Sequence, residues 1–229
     1  MAYIVFEGGE GTGKSTQLNQ LARKLDAITT REPGGTSLGA SLRAWLLDAK
    51  SGAIDVRAET LMMAADRAQH MSEVVEPALA KGRHVLSDRS VYSSLAYQGR
   101  GRGLGIEQVR SLNDWALSGR WPDLVIFLDA SPDVTAGRLN RPLDRMEQAG
   151  DEFHTAVRDA YREMAEADPL WATVDAAGSI GEVAERVWNA VEKRLAEIGE
   201  LDSTSSGSGG RLDGEARPRR SRPEPEGRL

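Results

Sequence analysis

The sequence predicts an α/β protein, a parallel sheet with helices on both faces. Three observations predict it. Short apolar runs alternate with amphipathic runs along residues 1–200, the pattern of repeated strand–helix units. A glycine-rich motif, G-G-E-G-T-G-K-S at residues 8–15, joins the first apolar run to the first amphipathic one. A hydrophobic content of 40% in 229 residues is enough for a packed core, and that length holds one domain of about 200 residues plus a tail.

The elements follow in order. Tyr3–Glu7 (Y-I-V-F-E) is a short apolar strand, and Lys14–Leu25 carries a helical stripe of Leu18, Leu21, Ala22 and Leu25. Ala27–Thr30 is a short strand ended by Pro33-Gly34-Gly35. Ser37–Asp48 is a helix with Thr36 or Ser37 as its cap. Arg57–Lys81 is one long helix closed by Gly82, in which Pro77 marks a kink or a break. His84–Asp88 and Asp123–Asp129 are buried-type strands, and Trp171–Asp175 is a last short one. Ser90–Tyr97, Ile106–Leu117, Pro132–Leu139, Glu152–Ala167 and Ser179–Ile198 read as helices.

From Leu201 onward the composition changes. Residues 201–229 are rich in Ser, Gly, Pro and Arg, have no apolar periodicity, and carry six Arg against five acidic residues. Such a segment buries too little surface to offset its ordering entropy, so it reads as a disordered tail. The net charge of −6 argues against general nucleic-acid binding. The absence of Cys excludes disulfides and thiolate metal sites, and His70, His84 and His154 form no ligand cluster. Without a run of 18 apolar residues or a cleavable leader, a soluble cytoplasmic protein with no membrane partner is the default.

Gly8, Gly13, Lys14 and Ser15 meet the phosphate-loop pattern G-x-x-x-x-G-K-[ST]. Gly8, Gly9, Glu10, Gly11, Thr12, Gly13, Lys14 and Ser15 together form the candidate nucleotide-phosphate site. The glycines let backbone N–H groups converge on phosphate, and the helix N-terminus adds its dipole. Lys14 supplies a mobile positive charge and Ser15 a hydroxyl for Mg²⁺. The motif alone does not separate kinases, ATPases and GTPases, although N-K-x-D, the guanine signature, is absent. Two strand-end carboxylates, Asp88 and Asp129, stand where an acid assists such a metal, and either can instead cap the next helix.

Further blocks follow the loop in order: T-R-E-P-G-G-T (Thr30–Thr36), A-A-D-R-A-Q-H (Ala64–His70), D-R-S-V-Y-S-S-L-A-Y-Q-G-R-G-R-G-L-G (Asp88–Gly105) and P-L-D-R-M-E (Pro142–Glu147). Together they resemble bacterial thymidylate kinase over about residues 3–198. The resemblance implies the P-loop kinase fold with a five-stranded parallel sheet, transfer of the ATP γ-phosphate to dTMP with Mg²⁺, and a homodimer. It implies that Arg89 reaches between donor and acceptor phosphates and that Asp88 orients Arg89 or a metal-bound water. It places Arg67 on the dTMP phosphate, Arg31 on the acceptor side, and Glu10 near the acceptor sugar and Mg²⁺, a metal set of Ser15 and Glu10. Ser94, Tyr97 and Gln98 match positions that read thymine and deoxyribose. Arg138, Arg141 and Arg145 fall where the family has a mobile lid. Because the phosphate loop lacks an arginine, Arg141 and Arg145 are the candidates to supply catalytic charge. Glu7 reads as structural, helping to hold the loop.

The chain departs from the family at L-M-M-A-A-D-R, where Met63 replaces a Phe expected to stack on thymine. Tyr92 is also atypical and is a candidate to refill the space of the missing ring. Two other readings stand beside the leading one: another nucleotide kinase, since Met63 touches the selectivity pocket, and a nucleotide-binding regulatory protein with little turnover.

Overall fold

The computed structural model describes residues 1–138 and 142–199. Arg141 and the expected tail, 201–229, lie outside the described residues. Five parallel strands, β1 (Tyr3–Glu7), β2 (Ile28–Arg31), β3 (Val85–Asp88), β4 (Leu124–Asp129) and β5 (Trp171–Asp175), form one sheet in the order β2-β3-β1-β4-β5. β1 is central. Its side chains alternate between two cores: Tyr3 and Val5 enter one, Ile4 and Phe6 the other. The first core packs the Met71–Val75 turn that follows α3 (Val56–His70), α4 (Glu76–Ala80), α5 (Val91–Ser94), α6 (Ile106–Leu117) and α8 (Asp151–Ala167) on the sheet. The second packs α1 (Lys14–Leu25) and α9 (Ile180–Glu197), whose Val183, Val187, Val191 and Leu195 recur at four-residue spacing. α2 (Ser37–Leu47) leans on α3, and the short α7 (Pro132–Ala136) follows β4.

This strand order makes a topological switch point. The chain leaves β1 for β2, two places away, and later sets β4 on the other side of β1. The carboxyl ends of β1 and β3, side by side in the sheet, carry the glycine loop and the Asp88–Arg89 turn at the carboxyl edge, where ligands of open α/β sheets bind.

Several boundaries differ from the sequence reading for identifiable reasons. The expected helix of residues 57–81 changes register at a π turn, Met71–Val75, before α4. Pro77 lies in the first turn of α4, where its missing N–H is tolerated. The expected helix over Ser90–Tyr97 is α-helical only over Val91–Ser94 and then widens into a π segment, Leu95–Gly101. Such widenings gather at functional sites, and this one carries Tyr97 and Gln98. Thr36 is the cap of α2, its hydroxyl accepting from Gly39 N at 3.0 Å. Among the described residues no helix is long and apolar enough to cross a membrane.

Candidate functional site

A cleft of about 770 Å³ runs from the phosphate loop, past Asp88 and Arg89 at the end of β3, to Met63 and Arg67 on α3 and Ser94, Tyr97 and Gln98 on the following wall. At one end the loop is shaped by glycine. Gly8 has φ 142°, and a Cβ there would stand 2.5 Å from the carbonyl oxygen of Leu128. Gly13, at φ 92°, turns the chain into α1, whose first turn holds no acidic residue to counter its dipole. Thr12 Oγ1 donates to Gly9 O at 3.0 Å and braces the loop. Lys14 is buried, its ammonium donating to Gly8 O at 3.1 Å and Gly9 O at 2.7 Å. Burial first, then the nearby Arg89 charge, pulls its pKa down.

Ser15 Oγ donates to Asp88 Oδ2 at 2.5 Å. Asp88 pairs in register with Phe6, so the sheet itself delivers this carboxylate beside the loop. The other strand-end acid is differently occupied. Asp129 is gripped by Arg162 of α8 at 2.9 Å, and Ser131, not Asp129, is the N-cap residue of α7. Of the expected Ser15–Glu10 metal set, Glu10 pairs with Arg89, and the carboxylate that Ser15 meets is Asp88.

Arg89 sits at φ 70°, a left-handed conformation rare for a side chain of its size, and its surroundings hold it there. Its backbone N donates to Phe6 O at 2.9 Å. Its guanidinium reaches Gly8 O (3.3 Å), Ser93 Oγ (3.2 Å) and Tyr97 OH (3.3 Å) besides Glu10. Beneath it lies Glu7, which accepts from Ser90 Oγ and Ser93 Oγ, both at 2.7 Å, and from Tyr161 OH at 2.9 Å. Burial raises the Glu7 pKa despite these donors. Glu7 therefore fixes the segment that carries Arg89, a wider role than holding the phosphate loop.

Arg67 is not a solvated ion. It is 2% exposed, with Nε on Glu32 at 2.8 Å, Nη1 on Asn113, and Nη2 on Ser90 O (3.2 Å) and Ser94 Oγ (3.1 Å). The second oxygen of Glu32 meets His70 Nδ1 at 2.8 Å, and His70 Nε2 lies 2.7 Å from Thr30 Oγ1. This buried chain fastens β2 and the loop after it to α3. Asp66 adds to it by accepting from Gly34 N at 2.9 Å. Burial, then the Glu32 charge, raises the Asp66 carboxyl to about 6.

A raised folded pKa means that the native state holds a proton more tightly than the unfolded chain does. The contribution of Asp66 is therefore favourable at pH below about 4, where both states are protonated, and is lost as pH rises through about 6. Asp66→Asn, which keeps the acceptor for Gly34 N, is expected to stabilise the protein at pH 7.5 by about 2 kcal/mol and at pH 4 by nothing. Melting temperatures across that range check it. A gain equal at both pH values would exclude the buried charge as the cause.

The remaining expected residues divide. Arg31 and Met63 line the cleft. Tyr92 does not refill the space beside Met63: its ring packs in the core on Trp171 (4.9 Å) and Trp121 (5.6 Å), because position 92 lies on the inward face of α5. Arg145 is drawn away from the phosphate end. Its Nη2 donates to buried Glu59 at 2.6 Å, and its Nε and backbone N bond Leu46 O and Leu47 O. That pairing does not support the expected role of charging a transferring phosphate. Arg141 lies outside the described residues. Arg138 bridges Gly11 O (3.4 Å) and Ala176 O (3.3 Å), from the phosphate loop to the loop after β5.

Arg43 and Glu59 escaped the sequence reading. Arg43 lines the cleft from α2 and donates to Pro33 O at 2.8 Å, and burial, then the charges of Arg31 and Arg89, lowers its pKa. Three guanidiniums thus repel one another in one cleft, an arrangement that an anion relieves. Neither residue belongs to a local motif, so spacing alone carried no signal for them.

Comparisons with known proteins agree with this geometry. A family model described as thymidylate kinase matches residues 6–187. The thymidylate kinase of Bifidobacterium longum (strain NCC 2705) is 44% identical over 205 residues, covering 86% of this chain and 98% of that one. That of Synechococcus sp. (strain JA-3-3Ab) is 46% identical over 199 residues, covering 84% and 96%. The crystal structure of thymidylate kinase from Ehrlichia chaffeensis superimposes with a TM-score of 0.70 at 29% identity, covering 83% of this chain and 98% of that one.

Proposed function

The chain belongs to the thymidylate kinase family, and we propose that its cleft carries out that family's reaction, passing the γ-phosphate of ATP to dTMP to give dTDP and ADP. The observation that carries the reading is Arg89. It stands in the middle of the cleft, between the phosphate loop and the part lined by Met63, Arg67, Ser94 and Gln98, where a group bridging donor and acceptor must stand.

In this reading an acceptor phosphate oxygen attacks the γ-phosphorus, and the bond to the β–γ bridging oxygen breaks. The residues supply position and charge rather than covalent chemistry. Backbone N–H groups of residues 8–15 and Lys14 hold the donor phosphates. Arg89, Arg43 and Arg31 gather on the acceptor phosphate. Ser15 and Asp88, two hard oxygen donors 2.5 Å apart, fit Mg²⁺, which takes one or two protein oxygens and completes its shell with water and phosphate. Bound there, that ion would neutralise charge developing on the β- and γ-phosphates.

Arg67 we assign to the base rather than to the phosphate. Its charge is already met by Glu32, so what it offers the cleft is a donor of fixed aim. Tyr97, beside Arg89, closes the sugar side. The homodimer is supported by Trp45 on α2, Leu61 on α3 and Trp115 on α6, each more than half exposed on successive packed helices. A cytoplasmic location is carried into this proposal from the sequence reading.

The test is coupled ADP release with dTMP, dUMP, CMP, AMP and thymidine as acceptors and ATP plus Mg²⁺ as donor. Turnover is expected with dTMP above all the others. Preference for AMP or for unphosphorylated thymidine would overturn the reading.

A further inference from the structure

Glu59 lies on α3 one turn before Met63 and two turns before Arg67, and it is 1% exposed. A carboxylate at that depth needs compensation. Arg145 Nη2 donates to it at 2.6 Å, Gln98 Nε2 at 2.9 Å, and Arg102 approaches through Nε and Nη2, each at 3.4 Å. Burial alone would push the Glu59 carboxyl up. Hydrogen bonds from Gln98 and Arg145, and the charges of Arg102 and Arg145, outweigh it and hold the group below its ordinary value. Glu59 is thus an acceptor at both oxygens.

That settles an ambiguity in Gln98. A glutamine amide presents either its NH₂ or its carbonyl, and its neighbours decide which. Facing a carboxylate, the NH₂ half turns inward to Glu59. The carbonyl half is left for the cleft, which Gln98 lines.

We propose that Glu59 is a positioning residue which, by holding the Gln98 amide with its carbonyl toward the cleft, makes the acceptor pocket select a base with a ring N–H. The proposal rests on the dTMP reading above. Thymine carries N–H at N3 beside a carbonyl acceptor at C4. Gln98 Oε1 and the Arg67 guanidinium offer the complementary acceptor and donor. Cytosine reverses the pattern, with a lone pair at N3 and an amino group at C4, so it would set acceptor against acceptor and donor against donor. An unconstrained glutamine would rotate and serve both bases, and opposed like groups are what make hydrogen-bonding sites discriminate. The same carboxylate binds Arg145, so the segment carrying Asp144, Met146 and Glu147 into the cleft is fastened to the helix that carries Met63 and Arg67.

Glu59→Gln tests it. The replacement is nearly isosteric but offers its own NH₂ to a rotated Gln98. The readout is kcat/KM for dTMP relative to dCMP. That ratio is expected to fall by about tenfold or more, mainly through KM, and Glu59→Asp, which keeps an acceptor-only group, should retain the preference. In a Gln98→Ala background Glu59→Gln should no longer move the ratio. An unchanged ratio in folded Glu59→Gln, or an undiminished effect in the Gln98→Ala background, overturns the proposal. Failure of the unaltered enzyme to use dTMP overturns the substrate reading and this proposal with it, whereas dTMP turnover with an unmoved ratio sinks the role of Glu59 alone. Should Glu59→Gln not fold, the unaltered protein decides. With ¹⁵N-labelled glutamine, the Gln98 side-chain amide protons, assigned by their loss in Gln98→Ala, should barely shift when dTMP is added. A large shift would place the NH₂ on the ligand and refute the orientation.

Discussion

Lys14→Ala is expected to lower kcat about a thousandfold, the scale of losing one preorganised charged donor at a site of developing charge, while the melting temperature stays within a few degrees. The two halves of this expectation have one origin. The Lys14 ammonium is turned onto two carbonyls of its own loop, Gly8 O and Gly9 O. Those bonds contribute little net, since hydrogen bonds to a loop that opens onto a cleft are readily replaced by water. Against them stand the burial of the ammonium and its repulsion by Arg89, the two effects that lower its pKa most. Removing the side chain therefore trades a small loss of folding stability for a small gain.

In the transition state the balance differs. Charge then spreads over the transferring phosphoryl oxygens, and a cation held in a site walled from solvent acts at low local dielectric. The measurement is steady-state kcat beside a thermal melt. Near-normal turnover would remove Lys14 from the chemistry. A collapse of the melt would mean that its loop contacts hold the fold.

How much of this was legible before the structure depends on the sequence separation of the contacts involved. The phosphate loop was readable because its parts lie within eight residues and their spacing is their geometry. β4 was readable because five successive apolar residues, Leu124–Leu128, leave little choice between strand and loop. The cap of α2 narrowed to Thr36 or Ser37 for the same local reason. The polar supports of the site were not readable in this way. Glu59 meets Gln98 across 39 positions and Arg145 across 86, and Arg67 meets Asn113 across 46. No periodicity encodes such pairings. A lone Arg or Glu on a predicted helix is usually a solvated group, and only the packing of α3 between α2 and α6 turns Arg67 and Glu59 inward. The π segment Leu95–Gly101 was hidden too, because a reading at 3.6 residues per turn cannot foresee a widened turn that re-aims Gln98.

Arg67→Ala is the second large effect, and it should appear first as lost stability. Glu32 is 2% exposed, and its carboxyl stays ionised because Arg67 and His70 outweigh the burial that would otherwise raise its pKa. A folded pKa below the unfolded value contributes stability that is present above the unfolded carboxylate pKa, near 4.3, and is lost as pH falls through the lowered folded value. Deleting Arg67 leaves Glu32 buried with one partner, Asn113 Oδ1 without its donor, and a void where the guanidinium lay. Removing one member of a buried ion pair costs roughly 3–5 kcal/mol. For a domain of this size that is on the order of 10 °C in melting temperature.

The pH dependence separates an orphaned charge from a simple cavity. In Arg67→Ala the Glu32 carboxyl loses its main compensation and takes up a proton more readily. The deficit should therefore be largest near pH 8 and shrink toward pH 4.5, where a neutral carboxyl is cheap to bury. Adding Glu32→Gln should recover part of the loss at pH 8, since the amide needs no counter-charge. Melts of the single and double variants at both pH values check this. A deficit of the same size at pH 8 and pH 4.5, not relieved by Glu32→Gln, would assign the loss to packing and leave the Arg67–Glu32 pair without the energetic role that its burial implies.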